Sequence, residues 1–308
     1  KVSKTAYLSD FFIRNDAEND KRLRSAVDRY LEIIFNISVH TPTGDEAGMY
    51  AAVSAASKSA CLSRQVGAAI YSGSGELISV GWNDVPKALG GLYSTDDGEE
   101  DHRCYLWGGK LCHNDRKKEQ LYSRIFKKLR DEGLLTAQVD EHSLREALVG
   151  TPVKDLIEYS RSIHAEMEAI VSAGRAGKFG MVGGTLYTTT FPCHNCARHI
   201  VAAGITRVLY VEPYAKSLAL ELHSDAISVV EDGKKVSFLQ YEGVGPDSIL
   251  KLFHHGIERK VGGKMRTVDK KEAHPVLPPP MDGFTTHEKR VIDRLESVEK
   301  RPTSATAG

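Results

Sequence analysis

The sequence predicts an α/β protein in which helices cover both faces of a central mixed sheet, and two observations carry that prediction. Segments with helical spacing alternate with short strand-like runs from Ser162 to about Leu239, an order that is typical of layered α/β domains. Earlier in the chain, "QVGAAIY" and "ELISVGW" are separated by "SGSG", which indicates a β-hairpin at the start of the sheet. A long insertion, residues 84–160, separates the hairpin from the regular alternation.

The chain divides into three predicted segments. Residues 1–40 contain "ENDKRLRSAVDRYLEIIF", whose apolar spacing predicts a helix that ends near Asn36. Residues 41–256 form the main domain, and Thr43 followed by Glu46 is a capping-box pattern that opens its first helix. Residues 257–308 are charged and include "HPVLPPPMDG", a composition that favours an extended or disordered tail.

Composition restricts the classes of function. Lysine and arginine number 41, the same as aspartate and glutamate, so no net positive field draws the chain to nucleic acid or an acidic membrane. We see neither a signal peptide nor an apolar run of membrane-spanning length, and therefore expect a soluble, cytoplasmic protein. Five cysteines are an odd number, which favours reduced thiols and metal ligands over a disulfide framework.

Two short motifs carry the chemistry, although each alone has an ordinary interpretation. A lone His164 in an amphipathic helix is usually structural, and Cys193 with Cys196 could be a redox pair or half of a structural zinc site. Together, one imidazole and two thiolates are zinc ligands that leave a coordination position open for water, as catalytic sites do. Glu166 is then an unligated acid that can carry protons. Glu168 is predicted to be a solvated helix residue.

The two motifs resemble the signature of the zinc nucleobase deaminases, and from Gly44 to Leu239 the chain resembles the cytidine/deoxycytidylate deaminases. The resemblance implies a cytidine deaminase-like three-layer α/β/α fold. It also implies one catalytic zinc ion, held by His164, Cys193 and Cys196. Glu166 would carry protons while an activated water attacks carbon 4 of cytosine. Asn83 would bind the sugar hydroxyl and the Ala165 backbone N–H the base carbonyl, although Asn83 could equally be a turn residue.

Three stretches resemble more closely the bacterial anti-phage deoxycytidine nucleotide deaminases, in which a kinase-like domain precedes the deaminase domain: "DFFIRNDAENDKRLRSAVDRYLEIIF", "TPTGDEAGMYAA" and "SRQVGAAI". No G-x-x-x-x-G-K-[ST] phosphate loop occurs in the sequence, so residues 1–40 are expected to be the terminal helix or linker of such a domain. The resemblance implies homo-oligomers, feedback by dCTP or dTTP, and inhibition by a partner RNA or the kinase-like domain.

Further candidate residues rest on weaker patterns. Arg64 and Lys216, near predicted strand ends, are candidates for the substrate phosphates, although either could be an ordinary surface charge. Four insertion residues could close a second, structural zinc site, against the alternative of reduced cysteines and loop histidines: His102, Cys104, Cys112 and His113. Cys61 is predicted to be a small buried residue on an alanine-rich helix.

The leading hypothesis is hydrolytic deamination of free dCTP or dCMP to the deoxyuridine nucleotide, with depletion of the cytosine deoxynucleotide pool during phage infection. One alternative is deamination of a base in tRNA or single-stranded DNA, which the neutral net charge disfavours. The other is a non-catalytic, nucleotide-sensing zinc module. Such a module has no use for an unligated acid, so Glu166 disfavours it.

Overall fold

A computed structural model describes residues 8–15, 20–231, 233–253, 259–266, 268–276, 288–293 and 295. The chain divides into two compact units, residues 1–14 with 42–249 and residues 15–41 with 250–308. Within the described ranges, no helix is both long enough and apolar enough to cross a membrane.

The larger unit is built on a six-stranded sheet. The strands of this unit, numbered along the chain, are β1 Phe11–Phe12, β2 Gly67–Tyr71, β3 Leu77–Trp82, β4 Thr185–Thr190, β5 Arg207–Glu212, β6 Ile227–Ser228, β7 Val236–Gln240 and β8 Gly243–Val244. The sheet has the order β3-β2-β4-β5-β7-β6, while β1 pairs with β8 separately. Within the six-stranded sheet, strand β2 is antiparallel to β3 and β4, and the other neighbouring strands are parallel. The β1–β8 pair is antiparallel. The predicted mixed sheet and its opening hairpin are confirmed.

Eight α-helices and three 3-10 helices have the bounds given below, and the described residues 288–293 are helical as well. The α-helices are α1 Asp20–Ile34, α2 Gly44–Ala56, α3 His113–Asp131, α4 Glu141–Val149, α5 Ala165–Arg175, α6 His194–Ala202, α7 Ala219–Leu222 and α8 Ile249–Phe253, and the 3-10 helices are Thr95–Glu100, Pro152–Asp155 and Pro246–Ser248. The predicted capping box opens α2: the Thr43 hydroxyl accepts from the Glu46 N–H at 3.2 Å, and the Glu46 carboxylate accepts from the Thr43 N–H at 2.7 Å.

Apolar packing covers both faces of the sheet. Side chains alternate along a strand, so Ala68 and Ile70 of β2 join one buried cluster with residues of α5 and α6, while Ala69 joins another with Met49 and Ala52 of α2. The three-layer α/β/α arrangement is therefore confirmed.

Glycine allows α5 to lie unusually close to the sheet. A Cβ atom at Gly81 of β3 would lie 2.2 Å from the Ala165 carbonyl oxygen and 2.4 Å from the Ala169 nitrogen. Both are backbone atoms, so they cannot move aside without moving the helix. The absence of a side chain at Gly81 thus determines how closely α5 packs on the sheet. The first residues of α5 belong to the site described below.

The insertion leaves and rejoins the domain at one point, because Asp84 and Ile163 form an antiparallel bridge. The Ile163 N–H donates to the Asp84 carbonyl at 3.0 Å. The insertion contains α3, α4 and two of the 3-10 helices. Its two ends are therefore held side by side, directly before residue 164.

The smaller unit contains α1 and described parts of the C-terminal region. The Arg29 guanidinium lies 6.0 Å from the Phe253 ring centre, and the Val276 N–H donates to the Ile34 carbonyl at 2.7 Å. Strands β9 Lys260–Val261 and β10 Lys264–Met265 form a hairpin.

This hairpin corrects part of the prediction of an extended tail. The reason is the turn, where Gly262 and Gly263 have φ of 57° and 83°, values that a two-residue hairpin turn requires and that glycine adopts readily. Most of the predicted tail beyond residue 276 lies outside the described residues. The division into three segments stays a prediction.

Candidate active site

Two helices of the larger unit begin at the same place. His164 is the N-cap residue of α5 and Cys193 is the N-cap residue of α6, and neither side chain caps its own helix. The imidazole and the thiol are therefore available to each other and to Cys196 in the first turn of α6. Unpaired N–H groups and the positive ends of both helix dipoles favour thiolate here.

The three predicted ligand atoms converge. The His164 Nδ1 lies 3.4 Å from the Cys193 Sγ and 3.3 Å from the Cys196 Sγ. All three ligand atoms lie within 4.8 Å of one another, and no other group of three metal-ligating side chains in the described chain does so. Zinc bonds of about 2.0 Å to nitrogen and 2.3 Å to sulfur at tetrahedral angles imply N–S separations of roughly 3.6 Å. The residues therefore fit a zinc ion.

Protonation couples these three groups. A hydrogen bond from Cys196 lowers the pKa of Cys193 to about 4, and the same contact, with burial, raises the pKa of Cys196. The hydrogen bond to Cys193 also raises the pKa of His164 to about 9. The chain thus stabilises one thiolate beside an imidazolium, and a zinc ion would have to displace the remaining protons, so its binding releases protons.

Glu166 lies beside the metal-ligand group without belonging to it. Its carboxylate accepts from the Cys196 thiol at 3.4 Å, and only 4% of the residue is exposed. Burial raises the pKa of Glu166. A buried carboxyl with a raised pKa at a cavity wall is suited to both accepting and donating a proton.

A cavity of about 180 Å³ opens over these residues. One wall comes from the domain core and includes His164, Glu166, Phe191 and Tyr214. Ala165, the first residue of α5, also lines this wall, and its N–H is among the first-turn groups that lack an intrahelical partner. This placement is compatible with the predicted binding of a base carbonyl, which stays a prediction.

A second wall comes from the insertion. Asn114 of α3, together with Ile157 and Ser160, lines the same cavity. Nothing in the sequence singled out these three residues, because their approach depends on how the insertion folds back over the site. The local sequence "CHND" indicates only the start of a helix.

Asn83 lines the cavity, but its amide is already engaged with backbone. Its Nδ2 donates to the Arg64 carbonyl at 2.8 Å, and its Oδ1 accepts from the Val66 N–H at 2.7 Å. The side chain therefore holds the loop before β2 in place. This structural role resembles the alternative that Asn83 is a turn residue. Its binding of a sugar hydroxyl stays a prediction.

The two predicted phosphate-binding cations each have an acidic partner. Arg64 lines the cavity and contacts Glu212 of β5 and the Thr190 hydroxyl, the latter at 3.3 Å. Lys216 pairs with Asp155 of the insertion and does not line the cavity. Arg64 stays a candidate for a phosphate, whereas Lys216 is placed to tie a loop to the insertion.

The four-residue second zinc site is not assembled. His102 Nδ1 lies 3.2 Å from the Tyr93 hydroxyl and His113 stacks on Trp107. No three of the four ligand atoms come within 4.8 Å of one another. His102 contacts a tyrosine hydroxyl and His113 stacks on an aromatic ring, so neither imidazole lies with the cysteines in a ligand group. The second zinc stays a prediction that the geometry does not support.

Two minor expectations are wrong. Helix α2 ends at Ala56, so Cys61 lies in the loop beyond it and lines the active-site cavity. Glu168 is 5% exposed rather than solvated, and it pairs with Arg175 at 3.0 Å. An acid in the first turn of α5 faces inward because a cation two turns later accompanies it.

The fold and the His-Cys-Cys group together define a domain of the zinc-binding α/β type. Residues 42–212 match the family model of the cytidine and deoxycytidylate deaminase zinc-binding region. The match covers more than half of the chain, which therefore belongs to the cytidine and deoxycytidylate deaminase family.

Individual relatives match over shorter stretches. The deoxycytidylate deaminase of Enterobacteria phage T2 is 44% identical over 55 residues, which is 18% of this chain and 29% of the relative. The ComE operon protein 2 of Bacillus subtilis (strain 168) is 41% identical over 75 residues, 23% of this chain and 38% of the relative. The chain thus spans less than two fifths of the length of either relative.

A solved structure of dCMP deaminase from the cyanophage S-TIM5, in complex with dCMP and dUMP, is 18% identical and covers 66% of this chain and 99% of that one, with a TM-score of 0.38. Because the TM-score is below 0.5, family membership rests on the sequence match.

Proposed function

We propose that this chain hydrolytically deaminates a free cytosine deoxynucleotide, dCMP or dCTP, to the corresponding deoxyuridine nucleotide. One observation carries the proposal: an unligated buried carboxylate, Glu166, lies against a His-Cys-Cys group in a cavity large enough for a pyrimidine ring. Family membership supports the reaction type, and the deoxycytidylate deaminases among the relatives support the substrate class.

His164, Cys193 and Cys196 would hold the zinc ion. When bound there, zinc supplies Lewis-acid activation of water. Glu166 would take a proton from the attacking water and deliver it to the ring nitrogen while the hydroxide adds to carbon 4. It would then move the proton of the new carbon-4 hydroxyl to the amine, which leaves as ammonia when the C–N bond breaks and the carbonyl of uracil forms. We propose that the flanking N–H of Ala165 binds the base carbonyl.

The cavity walls support a single nucleotide as substrate. The insertion covers one side of the cavity, and the chain has no net positive charge. Association with a polymeric nucleic acid depends strongly on a basic surface. We therefore propose a free nucleotide in the cytoplasm, rather than a base in tRNA or single-stranded DNA.

The physiological role is proposed from the resemblance of three stretches to anti-phage deaminases alone. In that role the enzyme would deplete cytosine deoxynucleotides during infection, as an oligomer whose activity an RNA or a kinase-like domain restrains. The chemistry of the site is independent of this part of the proposal.

The test is the isosteric variant Glu166→Gln, compared with the wild type for zinc content and for turnover of dCMP, dCTP and a cytosine-containing oligonucleotide. We expect zinc to be retained while kcat falls by a factor of about 10² to 10⁴ or more, the usual contribution of a general acid–base group. Retained activity would refute the role of Glu166. Turnover of the oligonucleotide alone would overturn the choice of substrate.

A further inference from the structure

The exposed residues of the active-site cavity mark its mouth. Most of the residues that line the cavity are buried or half-buried, and three are exposed: Ser63, Arg64 and Ser160. In the proposed reaction the base lies against Glu166, which is buried. A phosphate is costly to remove from water, so the phosphate end of a nucleotide belongs at the mouth.

Arg64 is held at the mouth by the ends of two strands. Its Nη2 contacts the Glu212 carboxylate and donates to the Thr190 hydroxyl at 3.3 Å. Thr190 and Glu212 are the last residues of β4 and β5, and they lie opposite each other in the parallel pairing. The guanidinium is therefore anchored to the sheet. Among the described residues that line the cavity, no other arginine or lysine is present.

Part of this guanidinium remains for a ligand. The two hydrogens of the Arg64 Nη2 suffice for Glu212 and Thr190, and within the described part of the chain its Nε and Nη1 make no hydrogen bond. The planar fork of an arginine side chain can bind two acceptors side by side. Arg64 can thus contact Glu212 and a phosphate at the same time.

Glu212 changes the electrostatics of such a contact. Its carboxylate offsets the positive charge of Arg64 and would lie on the order of 6 Å from a phosphate on the same guanidinium. Glu212 and Arg64 also line a neighbouring cavity, together with a second acid, Asp247. Charges of like sign at this range repel each other even near water. The repulsion increases with the charge of the phosphate chain.

We propose that Glu212 is a specificity-determining residue, whose carboxylate beside Arg64 disfavours substrates with longer phosphate chains. A repulsive element of this kind sets a preference without touching the reacting atoms. The inference rests on the proposed function for the reaction, and it deepens that function by naming a residue that adjusts the preference among deoxycytidine, dCMP and dCTP.

The test compares the wild type with Glu212→Gln on three substrates of increasing charge: deoxycytidine, dCMP and dCTP. Magnesium is left out of the buffer, because it would neutralise part of the triphosphate charge. Glutamine keeps an acceptor for Arg64 and removes the negative charge. We expect kcat/KM to stay unchanged for deoxycytidine, to rise about threefold or more for dCMP and to rise about tenfold or more for dCTP. The gain should shrink at about 1 M salt, where the Debye length is roughly 3 Å.

Other roles of Glu212 give different results, and either would overturn the inference. If Glu212 were purely structural, Glu212→Gln would change kcat/KM by one factor for all three substrates, or not at all. If its carboxylate instead oriented Arg64 for the phosphate, Glu212→Gln would lower kcat/KM for dCMP and dCTP and leave deoxycytidine unchanged.

Glu119→Gln is the matched control. It is the same substitution in another exposed pair of a glutamate with an arginine, Arg145, and Glu119 does not line the active-site cavity. All three kcat/KM values should equal those of the wild type. If Glu119→Gln favoured dCTP as strongly as Glu212→Gln does, net charge rather than the pair at the mouth would set the preference, which would also overturn the inference.

Failure of the proposed function is distinguishable from failure of this inference. If the zinc-loaded wild type turns over none of the three compounds, the reaction is wrong, and both proteins are compared by equilibrium binding of the same compounds. Glu212→Gln should then still gain affinity for dCTP relative to deoxycytidine. An unchanged ratio of the two affinities would overturn the role of Glu212.

Discussion

The two walls of the active-site cavity are stabilised by different interactions. The core wall belongs to α5 and α6, whose inward side chains, among them Ala169, Ala173, Cys196, Ala197 and Ile200, are fully buried in one apolar cluster with the sheet. In the insertion, residues 84–160, the buried apolar side chains are Val85, Leu92 and Tyr122. Three charged side chains are buried with them, namely Asp84, Asp101 and Arg103.

The difference in packing predicts different roles for the two walls: the core wall carries the chemistry, and the insertion wall contributes to substrate selection. Side chains that hold a metal and move protons need positions fixed to a fraction of an ångström, and close-packed apolar layers provide them. The insertion is held by charges and hydrogen bonds to backbone, which specify a conformation through a few strong contacts. We therefore expect substitutions in the insertion to change substrate preference while the metal-ligand group of the core wall keeps its geometry.

We expect the largest effect from a substitution in the ionic centre of the insertion, the buried group of Arg103, Asp101 and Asp84. Arg103 donates to Asp101 through its Nε at 2.9 Å and its Nη2 at 2.6 Å, and its Nη1 lies 3.5 Å from Asp84. Arg103→Met leaves two buried carboxylates without a cation, and we expect a loss of about 3–5 kcal/mol in the free energy of unfolding. Chemical denaturation at pH 7 measures the loss, and hydrogen exchange locates it in the insertion.

The pH dependence of that loss provides an internal check. The guanidinium lowers the pKa of Asp101, so in the wild type this pair stabilises the fold above the unfolded pKa of about 3.9 and is lost as pH falls through the lower folded value. Without Arg103, burial raises the pKa of both carboxyls, as it already does for Asp84. The deficit of Arg103→Met should therefore shrink from pH 7 to pH 5. A deficit that is constant with pH would contradict the ionic explanation.

The next effect concerns the core wall. Gly81→Ala places a Cβ atom against backbone of α5, and we expect about 1–3 kcal/mol of destabilisation from overpacking. Because α5 holds His164 and Glu166, a displacement near 1 Å should lower kcat by about 10²-fold. Unfolding and steady-state kinetics measure the two quantities.

Gly174→Ala is the matched control in the same helix. An added Cβ at Gly174 meets nothing within 4 Å, so the better helix propensity of alanine should stabilise the protein by about 0.5–1 kcal/mol and leave kcat unchanged. If both variants behaved alike, close packing at Gly81 would not be what positions α5.

The same division explains what could be predicted from the sequence. The hairpin and the capping box at Thr43 depend on short-range patterns, and the structure bears them out. The grouping of His164 with Cys193 and Cys196 was predicted from two separate motifs that match one known signature, and the three ligand atoms do lie together. The insertion offers no such periodicity. Its contacts join residues far apart in sequence, such as Asn114 with Leu156 and Lys216 with Asp155.

The predicted second zinc site shows the limit most clearly. Proximity in sequence predicts a shared ligand set for these cysteines and histidines, but His102 contacts Tyr93 and His113 stacks on Trp107. Spacing along the chain specifies ligand geometry only on a regular element, such as the first turn of α6. In an irregular loop, neighbouring side chains can point in any direction.

The smallest effect sharpens the comparison within the insertion itself. Arg145 of α4 forms a two-point ion pair with Glu119 of α3 at 2.8 Å, but both side chains are largely solvated. Arg145→Met is chemically the same change as Arg103→Met, yet water can solvate the carboxylate that it leaves behind. We therefore expect no measurable change in the free energy of unfolding or in kcat/KM.

The pKa of Glu119, which Arg145 lowers, should return to its ordinary range, as carbon-13 NMR titration of the glutamates would detect. If Arg145→Met lowered the free energy of unfolding as much as Arg103→Met, burial would not be what distinguishes the two arginines. The ionic centre would then stabilise the insertion no more than a surface ion pair does.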